Sequence, residues 1–260
     1  MLLLATTLSL FATHKALAWG GNAHTVTTLI AERHLTPEAK EGIARYLNHT
    51  LPFYAIWMDT FGTEDPYREK MIGHCNFAKD TSGALPDNEQ RAASVGIERI
   101  RKDMKDLSKL SDSLIRINLL MLIHAVADIH CPGHTYVPRE PKVSFRLVKG
   151  KNNQRVSYHS FWDNDAFTYG RRNWRAEQYA DAIDKLTPKQ AKKIVKGPAT
   201  KWYYGEMIEI HNKAIDMTPR TGHINAIPKE VRLEMRDICD ERVVVGGYRL
   251  AHIMNEIFKH

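Results

Sequence analysis

The sequence has little cysteine, and its cysteines lack the spacing of a zinc knuckle. Three cysteines in 260 residues are too few for a disulfide-stapled scaffold, and no Cys-x-x-Cys pair is present to start a cysteine-only metal site. Cys75, Cys131 and Cys239 leave three single disulfides open, each with one thiol left over. Any metal must therefore be bound by histidine, aspartate and glutamate.

Long hydrophobic runs are also scarce. Leu2–Ala12 is too short to span a bilayer, has the length of a signal-peptide core, and is followed by Ala16-Leu17-Ala18, which fits the small-x-small cleavage rule. A buried N-terminal helix is the alternative, because Lys15 follows the apolar run instead of preceding it. We expect residues 1–18 to be removed on export, leaving a secreted or periplasmic domain of residues 19–260 without a membrane span.

Acidic residues are outnumbered by basic ones. Lysine and arginine total 37 against 30 aspartates and glutamates, a formal charge of +7, in a chain that is 43% hydrophobic and 26% charged. This composition is globular and excludes disorder, collagen and coiled coil. The positive balance favours anionic partners such as phosphate-bearing substrates.

Helix signals dominate the chain, and no segment has the composition of an interdomain linker. Thr36-Pro37-Glu38 and Thr187-Pro188-Lys189 are typical helix starts. Apolar periodicity predicts helices over Ala39–Leu47, Ser94–Leu110, Asp112–Ile129, Arg175–Leu186 and Glu230–Phe258. Strand character is confined to Val143–Val148 and Val156–Tyr158. We expect one mainly α domain with one short β-hairpin.

Two histidine–aspartate pairs have metal-ligand spacing. In His124-x3-Asp128 and His159-x3-Asp163, the i,i+4 offset places imidazole and carboxylate on one helix face. Asp128 lies in an apolar helix, where an unpaired carboxylate is costly to bury and a cation would offset the cost. His134 follows a helix break six residues later, as a third ligand from a neighbouring loop would.

These ligand types predict zinc and hydrolytic chemistry. Nitrogen and oxygen ligands suit Zn²⁺, and sites with fewer than four protein ligands leave positions for water or substrate. Several such ions close together lower the pKa of a bridging water and clamp phosphate oxygens, which is the chemistry of phosphodiester hydrolysis.

Further motifs are spread over the chain. They are Trp19-Gly20-Gly21-Asn22-Ala23-His24, directly after the predicted cleavage point, then Trp57-Met58-Asp59, His74, His159-Ser160-Phe161-Trp162-Asp163 and Gly247-Tyr248-Arg249-Leu250-Ala251. Together with the run from His124 to His134, they resemble the S1/P1 nucleases, zinc enzymes that share their helical fold with bacterial zinc phospholipases C. The resemblance covers essentially all of residues 19–260 and implies a single helical domain of that type.

The resemblance implies three zinc ions per chain. One would be bound by Asp59, His74, His124 and Asp128; a second by His134, His159 and Asp163; a third by the terminal amine and carbonyl of Trp19, with His24 and a bridging Asp128. A free α-amine titrates near pH 8, so a metal displaces its proton easily. This ligand exists only if cleavage exposes Trp19.

The resemblance also implies a function. It predicts an endonuclease that cuts single-stranded DNA and RNA to 5′-phosphonucleotides, with 3′-nucleotidase activity left open, and we expect a monomer. Family nucleases carry a lysine or arginine at the position of Gly62, so Arg68 or Lys70 would supply that catalytic cation beside Asp59. Phe77 replaces a base-reading aspartate, and with Tyr136 it is a candidate for stacking on substrate bases.

The sequence leaves two other functions open. A zinc phospholipase C would act on a phospholipid headgroup, but that family usually has Glu where this chain has Asp163, and a longer spacing than Trp19 to His24. A non-catalytic, exported protein that binds polyanions is the other alternative. A purely structural zinc role would be better served by closed four-ligand sites.

Overall fold

The computed structural model describes residues 20–74, 76–77, 92–136 and 144–259, with the backbone alone at 76, 77 and 136. The predicted signal segment, Trp19 and Cys75 lie outside this part of the chain. The helices are α1 (Gly21–Arg33), α2 (Pro37–Ala44), α3 (Trp57–Phe61), α4 (Ala93–Asp103), α5 (Asp112–Asp128), α6 (Tyr158–Ser160), α7 (Ala176–Ile183), α8 (Pro188–Ile194), α9 (Ala199–Trp202), α10 (Ile208–Met217) and α11 (Lys229–Ile257). The prediction of a mainly α fold is confirmed. Within the described ranges, none of the helices has both the length and the apolar character needed to cross a bilayer.

The predicted helix starts are confirmed by side-chain caps. The hydroxyls of Thr36 and Thr187 accept hydrogen bonds from the backbone N–H groups three residues on, and Ser111 caps α5 in the same way. Short 3₁₀ turns add Leu51–Tyr54, Arg68–Lys70, Leu107–Lys109, Pro132–His134 and Ile224–Ala226, and π-helical turns cover Phe161–Ala166 and Tyr203–Met207. These turns, α3 and α9 are too short for apolar periodicity to predict them.

Helix α5 is the central element of the fold. Every residue from Ile117 to Asp128 is buried, as expected of a helix that is apolar all round. Its middle packs in a cluster with α2, α4 and the end of α11, while Ala127 joins a second cluster around Trp162 and Met235. The C-terminal turn of α5 therefore lies where the two hydrophobic clusters meet.

Helix α1 packs closely along α11. A Cβ at Gly247 would lie 2.7 Å from Ile30 Cγ2 and 2.9 Å from the Thr27 carbonyl oxygen, so a glycine is needed where the two backbones approach. This contact fixes α1, and with it His24, against the core.

The strands are short. They are β1 (Asn76–Phe77), β2 (Thr135–Tyr136), β3 (Arg146–Lys149), β4 (Gln154–Val156) and β5 (Thr221–His223). The predicted hairpin is the antiparallel pair β3–β4, but Tyr158 begins α6 because the Ser157 hydroxyl accepts a hydrogen bond from Ser160 N. Strand β5, parallel to β3, was not predicted, because three residues containing a glycine give no alternating pattern.

Candidate metal centre

The Asp128 carboxylate is shared by four histidines. Both Asp128 and His124 are fully buried at the end of α5. Asp128 Oδ2 lies 3.0 Å from His74 Nδ1 and 3.1 Å from His124 Nε2. Its other oxygen, Oδ1, lies 3.2 Å from His24 Nε2 and 3.6 Å from His134 Nδ1. The two oxygens therefore face different sets of ring nitrogens.

A first group forms around Asp128 Oδ2. Helix α3 contributes Asp59, whose Oδ1 lies 3.4 Å from His124 Nε2 and 3.6 Å from His74 Nδ1. His124 Nδ1 donates to the Ala55 carbonyl oxygen at 2.9 Å, so Nε2 is the nitrogen that faces the site and offers a lone pair once its proton is displaced. That lone pair faces His74 Nδ1 at 3.2 Å as well as two carboxylates. Nitrogen and oxygen lone pairs that converge in this way need a positive charge between them.

A second group contains His134, His159 and Asp163. The Nε2 atoms of the two histidines are 2.9 Å apart, and the Asp163 oxygens lie 3.5 Å and 3.3 Å from them. The His74 carbonyl oxygen orients His134 through Nδ1 at 3.1 Å. A Cβ at Gly133 would lie 3.0 Å from the His159 carbonyl oxygen, so glycine lets the 3₁₀ turn before His134 approach α6.

The third predicted group is described only in part. His24, on the first turn of α1, faces Asp128 and stacks on His124 with ring centroids 4.1 Å apart. A Cβ at Gly20 would collide with the Asn164 side chain, so the residue before α1 is held against the helical segment that carries Asp163. Trp19 lies outside the described residues.

Several polar atoms in these groups are buried and have no hydrogen-bond partner among the described residues. They are His24 Nδ1 and Nε2, Asp59 Oδ2, Asp128 Oδ1 and Asp163 Oδ2. Buried polar atoms are normally paired, and each unpaired one needs an explanation. Cations bound between them would satisfy these atoms, so the residues fit the implied metal ions.

The carboxylates of Asp128 and Asp59 favour the protonated form of His124. Burial alone would lower the pKa of His124, but Asp128 and Asp59 outweigh burial and raise this pKa to about 10. Burial acts to raise the pKa of Asp128, but His124 and His134 hold it well below its usual range. Burial and His124 lower the pKa of His24. A metal ion would displace the proton on His124 and take its place as the positive charge.

Cys131 belongs to this site, although the sequence assigned it no role. Its ligand atom lies with those of His134 and Asp163 in one set within 4.8 Å, and Sγ is 3.0 Å from Asp163 Oδ1. Burial raises the pKa of the Cys131 thiol, and Asp163 raises it further, so the S–H donates to the carboxylate. Cys131 and Cys239 are both free thiols. The available signal was the position of Cys131, three residues before His134.

Replacing Cys131 by alanine should weaken metal binding by the second group. The thiol fixes one Asp163 oxygen, and losing a partner of this kind typically costs about 10- to 100-fold in metal affinity. Chelator competition on the purified protein measures the change. Cys239→Ala is the matched control, because Cys239 is equally buried but its thiol contacts the Trp162 carbonyl oxygen, at 4.0 Å. Equal affinities in the two variants would contradict this role for Cys131.

The two cations predicted to assist catalysis lie at the protein surface. Arg68 and Lys70 lie on an exposed 3₁₀ turn, where Arg68 Nε donates to the Thr63 carbonyl oxygen at 2.9 Å. In the described part of the chain, no ion pair or hydrogen bond joins either cation to the groups above. A side chain at Gly62 would collide with the Met58 carbonyl oxygen. The catalytic role of Arg68 or Lys70 stays a prediction.

Comparison with known proteins places the chain in one family. A search of curated proteins gives no match. The family model described as S1/P1 Nuclease matches residues 19–259, a range that includes every candidate ligand above. The chain therefore belongs to the S1/P1 nuclease family, as the resemblance of its motifs predicted.

Proposed function

We propose that the protein is an exported, zinc-dependent endonuclease that hydrolyses single-stranded DNA and RNA to 5′-phosphonucleotides. The family supports hydrolysis of phosphodiester bonds. The observation that carries the proposal is the Asp128 carboxylate, whose Oδ2 faces ring nitrogens of His74 and His124 while its Oδ1 faces Nε2 of His24. Such sharing suits neighbouring ions that act together on one phosphate.

Nine residues would hold the metal ions. They are Trp19, His24, Asp59, His74, His124, Asp128, His134, His159 and Asp163. Bound zinc lowers the pKa of a coordinated water and neutralises charge on phosphate oxygens.

Backbone carbonyl groups orient two histidines of this centre. The Ala55 and His74 carbonyl oxygens accept hydrogen bonds from the outer nitrogens of His124 and His134, which turns both Nε2 atoms inward. A hydrogen bond to the other ring nitrogen of a metal-binding histidine fixes the tautomer and the orientation of the imidazole. The core packed around α5 keeps bulk water from the Asp128 side of the site.

Two aromatic positions are proposed to bind substrate. Strands β1 and β2 pair in parallel, and their register places Phe77 beside Tyr136. Phe77 is three residues after His74, and Tyr136 is two residues after His134. Aromatic rings at these positions would stack on unpaired bases next to the reacting phosphate. This favours single strands over duplexes, and we propose 3′-nucleotidase activity as a second reaction of the same site.

The test is a substrate panel with protein that starts at Trp19. Single-stranded DNA, RNA, the matching duplex and phosphatidylcholine micelles are each incubated with the protein as prepared, after chelation, and after zinc is restored. We expect cleavage of both single strands to products with 5′-phosphates, much slower cleavage of the duplex, complete loss on chelation and recovery with zinc.

Other outcomes identify the competing functions. Turnover of the lipid alone would make the protein a phospholipase C. Salt-sensitive binding of single strands by zinc-loaded protein, without cleavage, would make it a polyanion-binding protein.

A further inference from the structure

The three-stranded sheet β4-β3-β5 carries charge of only one sign. Residues 144–158, which include β3 and β4, and residues 219–223, which include β5, contain no aspartate or glutamate. The same ranges contain five cations, which are Arg146, Lys149, Lys151, Arg155 and Arg220.

Most of this charge is free to bind a partner. Lys149 is half-buried, and its Nζ pairs with Asp165 Oδ2 at 3.0 Å. Arg146, Lys151, Arg155 and Arg220 are exposed. Among the described residues, no acidic group forms an ion pair with any of these four, which we call the basic sheet surface.

The register places two of the arginines on one outer face. Leu147 and Val156 are register partners and both are buried, so their side of the sheet packs on the core. Arg155 pairs with Val148, and Arg146 lies two residues before Val148. Side chains two residues apart share a face, so Arg146 and Arg155 are diagonal neighbours on the solvent side, about 7–8 Å apart.

The basic sheet surface adjoins the chain segment that carries the candidate ligand His159. Strand β4 ends at Val156, and His159 follows three residues later on α6. Tyr158, next to His159, packs on Phe145 with ring centroids 4.7 Å apart. The Arg220 guanidinium lies 4.9 Å from the Phe145 ring. The packed side chains of Arg220, Phe145 and Tyr158 therefore run from the positive surface to the residue next to the candidate ligand His159.

We propose that the basic sheet surface binds the backbone phosphates of the polynucleotide strand beyond the nucleotides that react. This inference rests on the proposed function, because it assumes that a polynucleotide is the substrate. Exposed arginines and lysines bind phosphates without reading the bases and release counterions on binding, so affinity falls as salt rises. The surface thus gives long strands an advantage over dinucleotides.

The test compares two triple variants of equal charge change. Arg146→Gln/Lys151→Gln/Arg155→Gln removes three charges from the basic sheet surface. The matched control, Lys189→Gln/Lys192→Gln/Lys193→Gln, removes three from exposed positions on α8. Binding of a fluorescent 30-nucleotide phosphorothioate DNA and hydrolysis of a 30-mer and of a dinucleotide are measured at several salt concentrations.

We expect only the sheet variant to bind the 30-mer with a weaker salt dependence than the wild-type protein. Three contacts to a single strand contribute about 2 to the slope of log affinity against log salt, so the ratio of wild-type to variant affinity should shrink by about 20-fold between about 50 and 200 mM salt. Hydrolysis of the 30-mer should weaken through KM, while dinucleotide hydrolysis changes less than about twofold. The α8 variant should keep the wild-type slope.

Three results would overturn the inference. They are an unchanged slope in the sheet variant, an equal change in the α8 variant, and loss of affinity for anionic vesicles while affinity for the 30-mer is kept. If the wild-type protein cleaves neither substrate but binds the 30-mer with a slope that the sheet variant loses, the proposed function fails and the assignment of this surface stands.

Discussion

Replacing Asp128 by asparagine should remove most of the bound metal and reduce nuclease activity by at least about 10²–10³-fold, the scale of losing one preorganised electrostatic group. The reason is geometric. Asp128 is the carboxylate that faces His74 and His124 with one oxygen and His24 and His134 with the other. An amide keeps the shape of the side chain but brings no negative charge and turns an N–H₂ donor toward one set of nitrogens. Metal content and kcat/KM on single-stranded DNA measure the effect.

Asp240→Asn is the control for this substitution. Asp240 is a largely buried carboxylate that pairs with Arg171 at 2.7 Å, and its loss should change stability without changing metal content. If Asp128→Asn folds, keeps its full metal content and cleaves at the wild-type rate, then Asp128 does not have the role given to it here.

Adding one to three residues before Trp19 should cost one zinc ion per chain and most of the activity. In the proposed centre the third ion would depend on the free α-amine of Trp19, and the neutral amide nitrogen of an extended chain has no available lone pair to replace it. We expect a loss of at least about tenfold, since a bound ion stabilises transition-state charge by several kcal/mol. The residues nearby limit adjustment, because Gly20 is held against Asn164 and His24 against His124.

The same residues added after His260 provide the control. Helix α11 ends at Ile257, so a C-terminal extension should leave both zinc content and turnover unchanged. Equal zinc content and turnover in the N-terminally extended and the trimmed protein would contradict the role of the terminal amine. That result would not contradict metal binding by the other groups around Asp128.

The features that could be predicted from the sequence depend on residues close together in the chain. The i,i+4 pairs at His124 and His159 follow from helix geometry alone, and both pairs come together in the structure as predicted. Burial of Asp128 followed from the apolar residues around it on α5. Helix starts at Thr36 and Thr187 followed from capping chemistry that needs only neighbouring residues.

Contacts between distant segments could not be predicted in this way. The hydrogen bond from His124 to the Ala55 carbonyl joins residues 69 apart, and the thiol of Cys131 reaches Asp163 across 32 residues. The three-residue strand β5 pairs in parallel with β3 and has no periodic pattern of its own. Such features depend on tertiary packing, which overrides the weak local preference of short segments.

Imidazoles and carboxylates from distant parts of the chain are proposed to bind a group of metal ions around Asp128. Anomalous diffraction at the zinc edge, from crystals of protein that begins at Trp19, tests this claim most directly. We expect three peaks, one among Asp59, His74, His124 and Asp128, one among His134, His159 and Asp163, and one between His24, Asp128 and the terminal amine. The absence of peaks among these side chains in zinc-supplemented crystals would contradict the account.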